Sequence, residues 1–359
     1  MQEAVVLIFL GDFFFDARCI NMANTLIDAG MKLNIIDAGG NNNQYRGSNI
    51  YHINLPDNGV IKYIKFYYQI KKIVSKINPQ IIIAGDLYSL PAAVSFMKAN
   101  IIYDSREIYT QHAGMVNKPI QQTFWSWVEK IYINKAKSVL VTAQSDVLLI
   151  NKLYMDVNIF LIYNFPSIKI KTHKNYSLRE KLNLSKDSKI FLYQGVLHCG
   201  RGIKTMISLL KYFPNVEAVI IGDGPYKNSL YNYSKNNNFL KRTHFIGRVK
   251  YDELLQFTKD ASIGFSIIKP ITQSYVNALP NKLFEYALSN VPILASNLPE
   301  MEKFINKYKI GKTVPFNDLK KQKEAITELL INKNLFINKE SVKHLIWEKQ
   351  ENKFLQAIK

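Results

Sequence analysis

Short runs of consecutive apolar residues alternate along the chain with longer stretches whose apolar positions recur every three or four residues. Residues 5–10 (VVLIFL), 32–37 (KLNIID), 81–85 (IIIAG), 100–104 (NIIYD) and 138–143 (SVLVTA) are rich in β-branched residues. Runs of this kind predict parallel strands buried on both faces, with the amphipathic stretches between them, such as 17–29 and 61–77, as helices. After a polar, basic segment at 163–175 the alternation restarts at 189–195 (KIFLYQG), 216–222 (VEAVIIG), 244–247 (HFIG), 263–268 (IGFSII) and 291–296 (VPILAS). Two such series predict two doubly wound, Rossmann-like α/β domains, 1–168 and 169–340. Residues 344–359 read as one amphipathic helix, and the Gly- and Asn-rich stretch 38–49 as a mobile loop.

Composition narrows the class. A chain of 359 residues suits two domains, and 47% apolar residues exclude a disordered or coiled-coil protein. Two cysteines, Cys19 and Cys199, cannot build a disulfide framework or a Cys-rich zinc site. No apolar run approaches the roughly 18–20 residues that cross a bilayer. Residues 4–10 follow Glu3 and read as a first strand rather than a signal peptide, so the expected location is the cytoplasm, with peripheral membrane contact as a further expectation. The net charge of +19 is lopsided: residues 1–168 hold 15 Lys/Arg and 12 Asp/Glu, and the remainder 32 and 16. The second half is therefore the expected site for an anionic ligand, although biased base composition of the coding sequence would give the same excess. No recognisable nucleic-acid module accompanies the charge, and no nucleic-acid partner is expected.

Parallel α/β sheets bind ligands at the carboxyl ends of their strands, and the crevice between two such domains is the default site. Neither a G-x-G-x-x-G fingerprint nor a phosphate-binding P-loop occurs, which argues against NAD-linked and P-loop chemistry. In 193–207 a strand ends at Gly195 and Arg201-Gly202 opens a helix, a pattern that suits a pyrophosphate or is an ordinary turn carrying an exposed arginine. In 277–296, Pro280 starts a helix with Lys282 in its first turn and Glu285 on the same side. These two would meet an anion and a sugar diol, or form a surface ion pair. Asp104, Arg106 and Glu107 follow a buried strand and demand a partner network or a function. Gly222 ends another strand in a short turn. No His/Cys spacing suits a metal, and no cofactor is expected.

Helix 60–77 reads as a lysine stripe (Lys62, Lys65, Lys72, Lys76) opposite Ile61, Ile64, Ile73 and Ile77. With the aromatic stretch 123–137 it would rest on an anionic membrane, or pack on the core with its lysines in water.

The order YQGVLHCGRGI, VIIGDGPYKNSL, THFIGRVKYDELLQFTKDASIGFSII, ALPNKLFEYALSNVPILAS resembles the donor domain of family 4 glycosyltransferases with the GT-B fold. FDARCINMANTLIDAGMKLNIID and IIYDSREIYT resemble segments of that family's first domain, and WEKQENKFL its helix crossing back to that domain, here 341–359. The resemblance implies two Rossmann-like domains facing a central cleft. It implies transfer of a hexose from a nucleotide-diphosphate sugar to a saccharide or lipid-linked saccharide, with retention and without a metal, in bacterial cell-surface polysaccharide biosynthesis. It places Arg201 and Lys282 on the donor diphosphate and Glu285 on the ribose. Gly247, Arg248 and Val249 would meet the base, and Gly195, Gly202, Gly222, Leu279 and Asn281 would shape the donor site. Gly11, Asp12 and Asp104 would lie on the acceptor side, with Arg106 and Glu107 near the reacting sugar. Three positions depart from the family pattern: Asn277 replaces the first of two glutamates, Val196 a basic residue, and Arg106 a histidine. An epimerase or inverting transferase on the same fold would need a catalytic carboxylate, for which Asp12 and Glu107 are the first-half candidates. A scaffold without activity is the remaining alternative.

Overall fold

The computed structural model describes residues 2–40, 42–56, 59–106, 118–169, 177–336 and 339–359. The chain divides into two units, Met1–Asn164 with Trp347–Lys359, and Phe165–Ile346. These limits differ from 168/169 and 340/341 for local reasons. Phe165 packs edge-on against Phe284 at 4.9 Å, and Tyr308 Oη bonds to His344 Nε2 at 3.1 Å, so both flanks sit with the second unit. Trp347 instead donates from its indole nitrogen to Thr25 Oγ1 at 2.8 Å, in the first.

In the first unit, strands β1 (Ala4–Ile8), β2 (Lys32–Asp37), β3 (Gln44–Tyr45), β4 (Ser48–His52), β5 (Ile81–Ala84), β6 (Asn100–Ser105), β7 (Ser138–Val141) and β8 (Ile159–Leu161) form one sheet. Its order is β3-β4-β2-β1-β5-β6-β7-β8. Every neighbouring pair is parallel except the β3–β4 hairpin. The turn of that hairpin lies within the stretch read as a mobile loop. Arg46 and Gly47 both take positive φ, 48° and 83°, as a tight hairpin turn of matching twist requires.

Helix Val60–Ile77 buries Phe66, Ile70 and Val74. Of the expected apolar face, Ile73 and Ile77 pack half-buried against the core, whereas Ile61 and Ile64 are exposed. Both sets have helical spacing, and only the packing chooses between them. Residues 344–359 are not one helix: a short 3₁₀ turn, Trp347–Lys349, precedes helix Glu351–Ile358. The break lets Trp347 point inward while Phe354 and Ile358 bury the next face.

In the second unit, β9 (Lys189–Gln194), β10 (Val216–Ile221), β11 (Thr243–Gly247), β12 (Ile263–Ser266), β13 (Ile293–Ser296) and β14 (Gly311–Val314) form an all-parallel sheet. Its order is β11-β10-β9-β12-β13-β14, so the order reverses between β9 and β12. Strand β14, half-exposed and only four residues long, has no strong apolar signature. In α/β sheets such a reversal is where ligands bind, at the carboxyl ends of the strands.

Candidate functional site

Three glycines bring the strand ends of the second unit into contact. Gly195, just past β9, has φ +123°, and Gly222, just past β10, has φ +135°. A Cβ on Gly222 would lie 2.0 Å from the Gly195 carbonyl oxygen, so only glycine fits. Gly222 N–H also donates to Gly247 O at 2.8 Å, tying in the end of β11. Gly202, with φ +67°, caps helix Ile203–Leu209, and a Cβ there would meet Ile267 O at 2.5 Å. The loop carrying Arg201 is thus pressed onto the end of β12, at the reversal point.

The second helix of the site, Lys282–Leu288, is almost wholly buried. Tyr286 anchors it: its ring crosses Gly264, where a Cβ would approach within 2.4 Å, and its hydroxyl donates to Leu192 O at 3.0 Å. Lys282 and Glu285 are each 7% exposed and form no ion pair, which removes the surface-pair alternative. Lys282 Nζ sits 3.7 Å from the centroid of the Tyr193 ring, beside Gly195. Arg201 lies over Tyr275 at 4.3 Å and donates from Nε to its hydroxyl at 3.1 Å. Glu285 accepts from Gln194 Nε2, and Thr258 Oγ1 donates to Gln194 Oε1 at 3.0 Å. Burial holds the Lys282 ammonium well below the ordinary lysine range; the Arg201 charge adds to this and Glu285 opposes it. Burial likewise pushes the Glu285 carboxyl up, against the Gln194 hydrogen bond and the Lys282 charge.

Gly195, Arg201, Gly202, Gly222, Gly247, Lys282 and Glu285 therefore share one end of one sheet. Arg248 and Val249 follow β11, Arg248 exposed and Val249 half-buried. Asn277, Leu279 and Asn281 lie in the segment between helix Gln273–Val276 and Lys282, held in part by the Ala278 N–H bond to Tyr275 O at 3.3 Å. Sequence reasoning missed Tyr193, Gln194, Thr258 and Tyr275. Gln194 carried a signal, as a polar residue ending an apolar strand.

The remaining candidates belong to the first unit. Asp104 is fully buried and accepts from Arg18 Nε and Nη2 at 2.9 and 2.6 Å and from Arg106 Nε at 3.0 Å. Arg106 also donates to Asp16 and, at 2.8 Å, to Cys19 Sγ. Each of its three nitrogens thus serves this network, in which Arg18 was not foreseen. Asp12 accepts from Phe14 N–H at 3.0 Å and caps the turn Phe13–Phe15; Gly11 O accepts from Ala38 N–H at 2.9 Å. Burial pushes up the carboxyl of Asp86, also unforeseen, which accepts from Leu10 and Ser89 N–H at 2.5 and 2.7 Å. Glu107 lies outside the described residues. Among the described residues, no three His, Cys, Asp or Glu side chains stand close enough to hold a metal ion.

Residues 175–346 match the family described as Glycosyl transferases group 1. No curated protein sequence matches the chain. Among solved structures, the chain is similar to a sucrose-phosphate synthase from Thermosynechococcus elongatus, with a TM-score of 0.81 at 17% identity over 99% of this chain and 98% of that one. It is similar to Anabaena HepE in complex with UDP and glucose, with a TM-score of 0.75 at 12% identity over 99% of each chain. A protein from Listeria monocytogenes assigned as a UDP-N-acetylglucosamine 2-epimerase gives 0.66 at 12% over 100% and 96%. The fold is therefore α/β of the GT-B class, with two sheets built from parallel strands.

Proposed function

We propose that the chain is a glycosyltransferase that moves a hexose from a nucleoside-diphosphate sugar to a saccharide, free or lipid-linked, in the building of a cell-surface polysaccharide. One observation carries this reading: at the β9–β12 reversal two cations, Arg201 and Lys282, rest on tyrosine rings and form no ion pair with a carboxylate among the described residues. Such charge is left for a ligand, and a diphosphate is the anion that two cations and a glycine-lined strand end suit. The match of 175–346 to a glycosyltransferase family supports the assignment, and the HepE neighbour holding UDP and glucose supports the donor class.

Glu285, oriented by Gln194 and Thr258, accepts hydrogen bonds from the ribose diol. In the reaction the acceptor oxygen bonds to the anomeric carbon as the bond from that carbon to the phosphate oxygen breaks. The acceptor proton passes to the departing phosphate, on the same face, so configuration is retained. Negative charge grows on the diphosphate in the transition state, and Arg201 and Lys282 lower the barrier by meeting it there, with no metal ion taking part.

A thermal-shift screen with UDP, GDP, dTDP and CMP, followed by product analysis with the sugar conjugates of the one that binds, tests the reading. One nucleoside diphosphate raises the melting temperature. Arg201→Ala keeps the fold and cuts sugar transfer by about 10²-fold or more. A folded chain indifferent to every nucleoside diphosphate at millimolar concentration overturns it.

A further inference from the structure

Two helices of the first unit expose apolar stripes around a shared aromatic cluster. On helix Val60–Ile77, Ile61, Ile64 and Tyr68 follow helical spacing and face water, with Ile61 70% exposed. On helix Pro119–Tyr132, Ile120, Phe124 and Trp127 do the same at i, i+4 and i+7, with Ile120 85% and Trp127 60% exposed. Beneath them Tyr63 meets Trp125 edge-on at 5.0 Å, and Tyr88 packs on both rings at 5.0 and 4.7 Å. The two stripes thus flank one joint. Exposure of this much apolar surface is costly in water.

The charge that these two helices present to the surface is of one sign. Helix Val60–Ile77 holds five lysines and no acidic residue. At 100° per residue Lys65 and Lys72 fall on the side of Ile61 and Tyr68, opposite buried Phe66, Ile70 and Val74. The one acidic residue of helix Pro119–Tyr132, Glu129, is buried, accepting from Tyr103 and Tyr154 hydroxyls at 2.8 and 2.9 Å, so it offers nothing to the surface. A second copy of the chain would set these lysines against their equals. Aliphatic and indole groups flanked by lysines instead complement the boundary between acyl chains and anionic headgroups.

We propose that this face docks on a bilayer containing anionic lipids, with Ile64, Phe124 and Trp127 entering the headgroup–acyl boundary and Lys65 and Lys72 against the lipid phosphates. The contact is peripheral: no helix among the described residues is long and apolar enough to cross a membrane. The inference stands apart from the sugar-transfer reading and survives its failure.

The chain has three tryptophans, of which Trp125 and Trp347 are buried and Trp127 is exposed, so Trp127 reports contact directly. The full chain is mixed with vesicles of phosphatidylglycerol and phosphatidylethanolamine, or of phosphatidylcholine alone, carrying lipids brominated on their acyl chains. The expected result is quenching of tryptophan emission by the anionic vesicles, weakened by salt, and little by phosphatidylcholine. Trp127→Phe removes the quenchable emission. The pair Ile64→Ser with Phe124→Ser, which alters only exposed side chains and leaves the thermal melt in place, lowers the vesicle-bound fraction in co-sedimentation about tenfold or more. Equal binding by wild type and the double variant, or no binding to anionic vesicles, overturns the proposal. A dimer that the same pair dissolves, without vesicle binding, overturns it in favour of a second copy.

Discussion

Lys282 Nζ lies 3.7 Å from the centre of the Tyr193 ring, and the ring is fixed by its own hydroxyl, which donates to Val196 O at 2.8 Å. The negative face of the aromatic ring stands where a carboxylate would otherwise pair with the ammonium. Arg201 repeats the arrangement on Tyr275. A carboxylate partner would have to be displaced before a diphosphate could bind; a tyrosine ring holds the cation in place and leaves its charge uncancelled.

Lys282→Met should make the protein more stable and less active. The buried ammonium is held below its ordinary range, so folding loses free energy to it at neutral pH, and a thioether of similar length fits the same ring. The expected rise is about 2–4 °C in the melting temperature of the ligand-free protein, with nucleoside-diphosphate affinity reduced at least about tenfold. A variant that melts lower while binding as the wild type does would contradict both halves.

Donor binding should take up a proton. Burial lowers the Lys282 pKa in the free site, and a bound diphosphate raises it again, so the protonated form is favoured in the complex. Affinity then falls as pH climbs from the free-site value toward the ordinary lysine range. Calorimetry in two buffers of different ionisation enthalpy reads the uptake. Without ligand the sign reverses: the unfolded chain binds this proton more tightly, so the Lys282 contribution to stability is lost as pH falls through its folded-state value and is full above the ordinary lysine value. Glu285, raised by burial, contributes oppositely, with stability full below the ordinary carboxyl value and lost as pH rises through its own. Flat affinity from pH 7 to about 10, with no buffer dependence, would rule out the uptake.

Much of this site was legible in the sequence because its residue types stand at strand ends and a helix start: Arg201 beside Gly202, and Lys282 and Glu285 after Pro280. The partners were not. Which ring lies under which cation depends on how Tyr286 crosses Gly264 and on the loop pressed against Ile267, and neither is a local property of the chain. The divided isoleucines of helix Val60–Ile77 have a related cause. Ile73 and Ile77 fall on the side of Phe66, Ile70 and Val74 and pack with them on the core, while Ile61 and Ile64 stay in water, a division that packing sets. The β3–β4 hairpin hid in a polar stretch whose turn is Arg-Gly, and β14 is too short and too wet to stand out. Arg18 looked like an ordinary helix residue until the fold set it against Asp104, 86 positions away.

Gly222→Ala should be among the most damaging small substitutions. The new methyl would lie 2.0 Å from the Gly195 carbonyl oxygen, at φ +135°. The two turns must part, which costs about 3 kcal/mol or more in urea unfolding and moves Gly195 away from Lys282. Gly247→Ala is the control, because nothing lies within 4 Å of its Cβ, and its cost is confined to the strain of φ +80°.

Asp104→Asn should cost about 3–5 kcal/mol, because Arg18 and Arg106 keep their charges and lose the carboxylate between them. Adding Arg18→Met recovers part of the loss if the unpaired guanidinium is its cause. Urea midpoints of the single and double variants separate this from a loss of packing, which the second change would only deepen.

The segment from Trp347 onward completes the first unit from the far end of the chain. Trp347, Phe354 and Ile358 fill a core whose other walls were made some two hundred residues earlier in synthesis. On the ribosome, the second unit can therefore acquire all its strands while the first still waits for its last wall, so the part made earliest is the last to close.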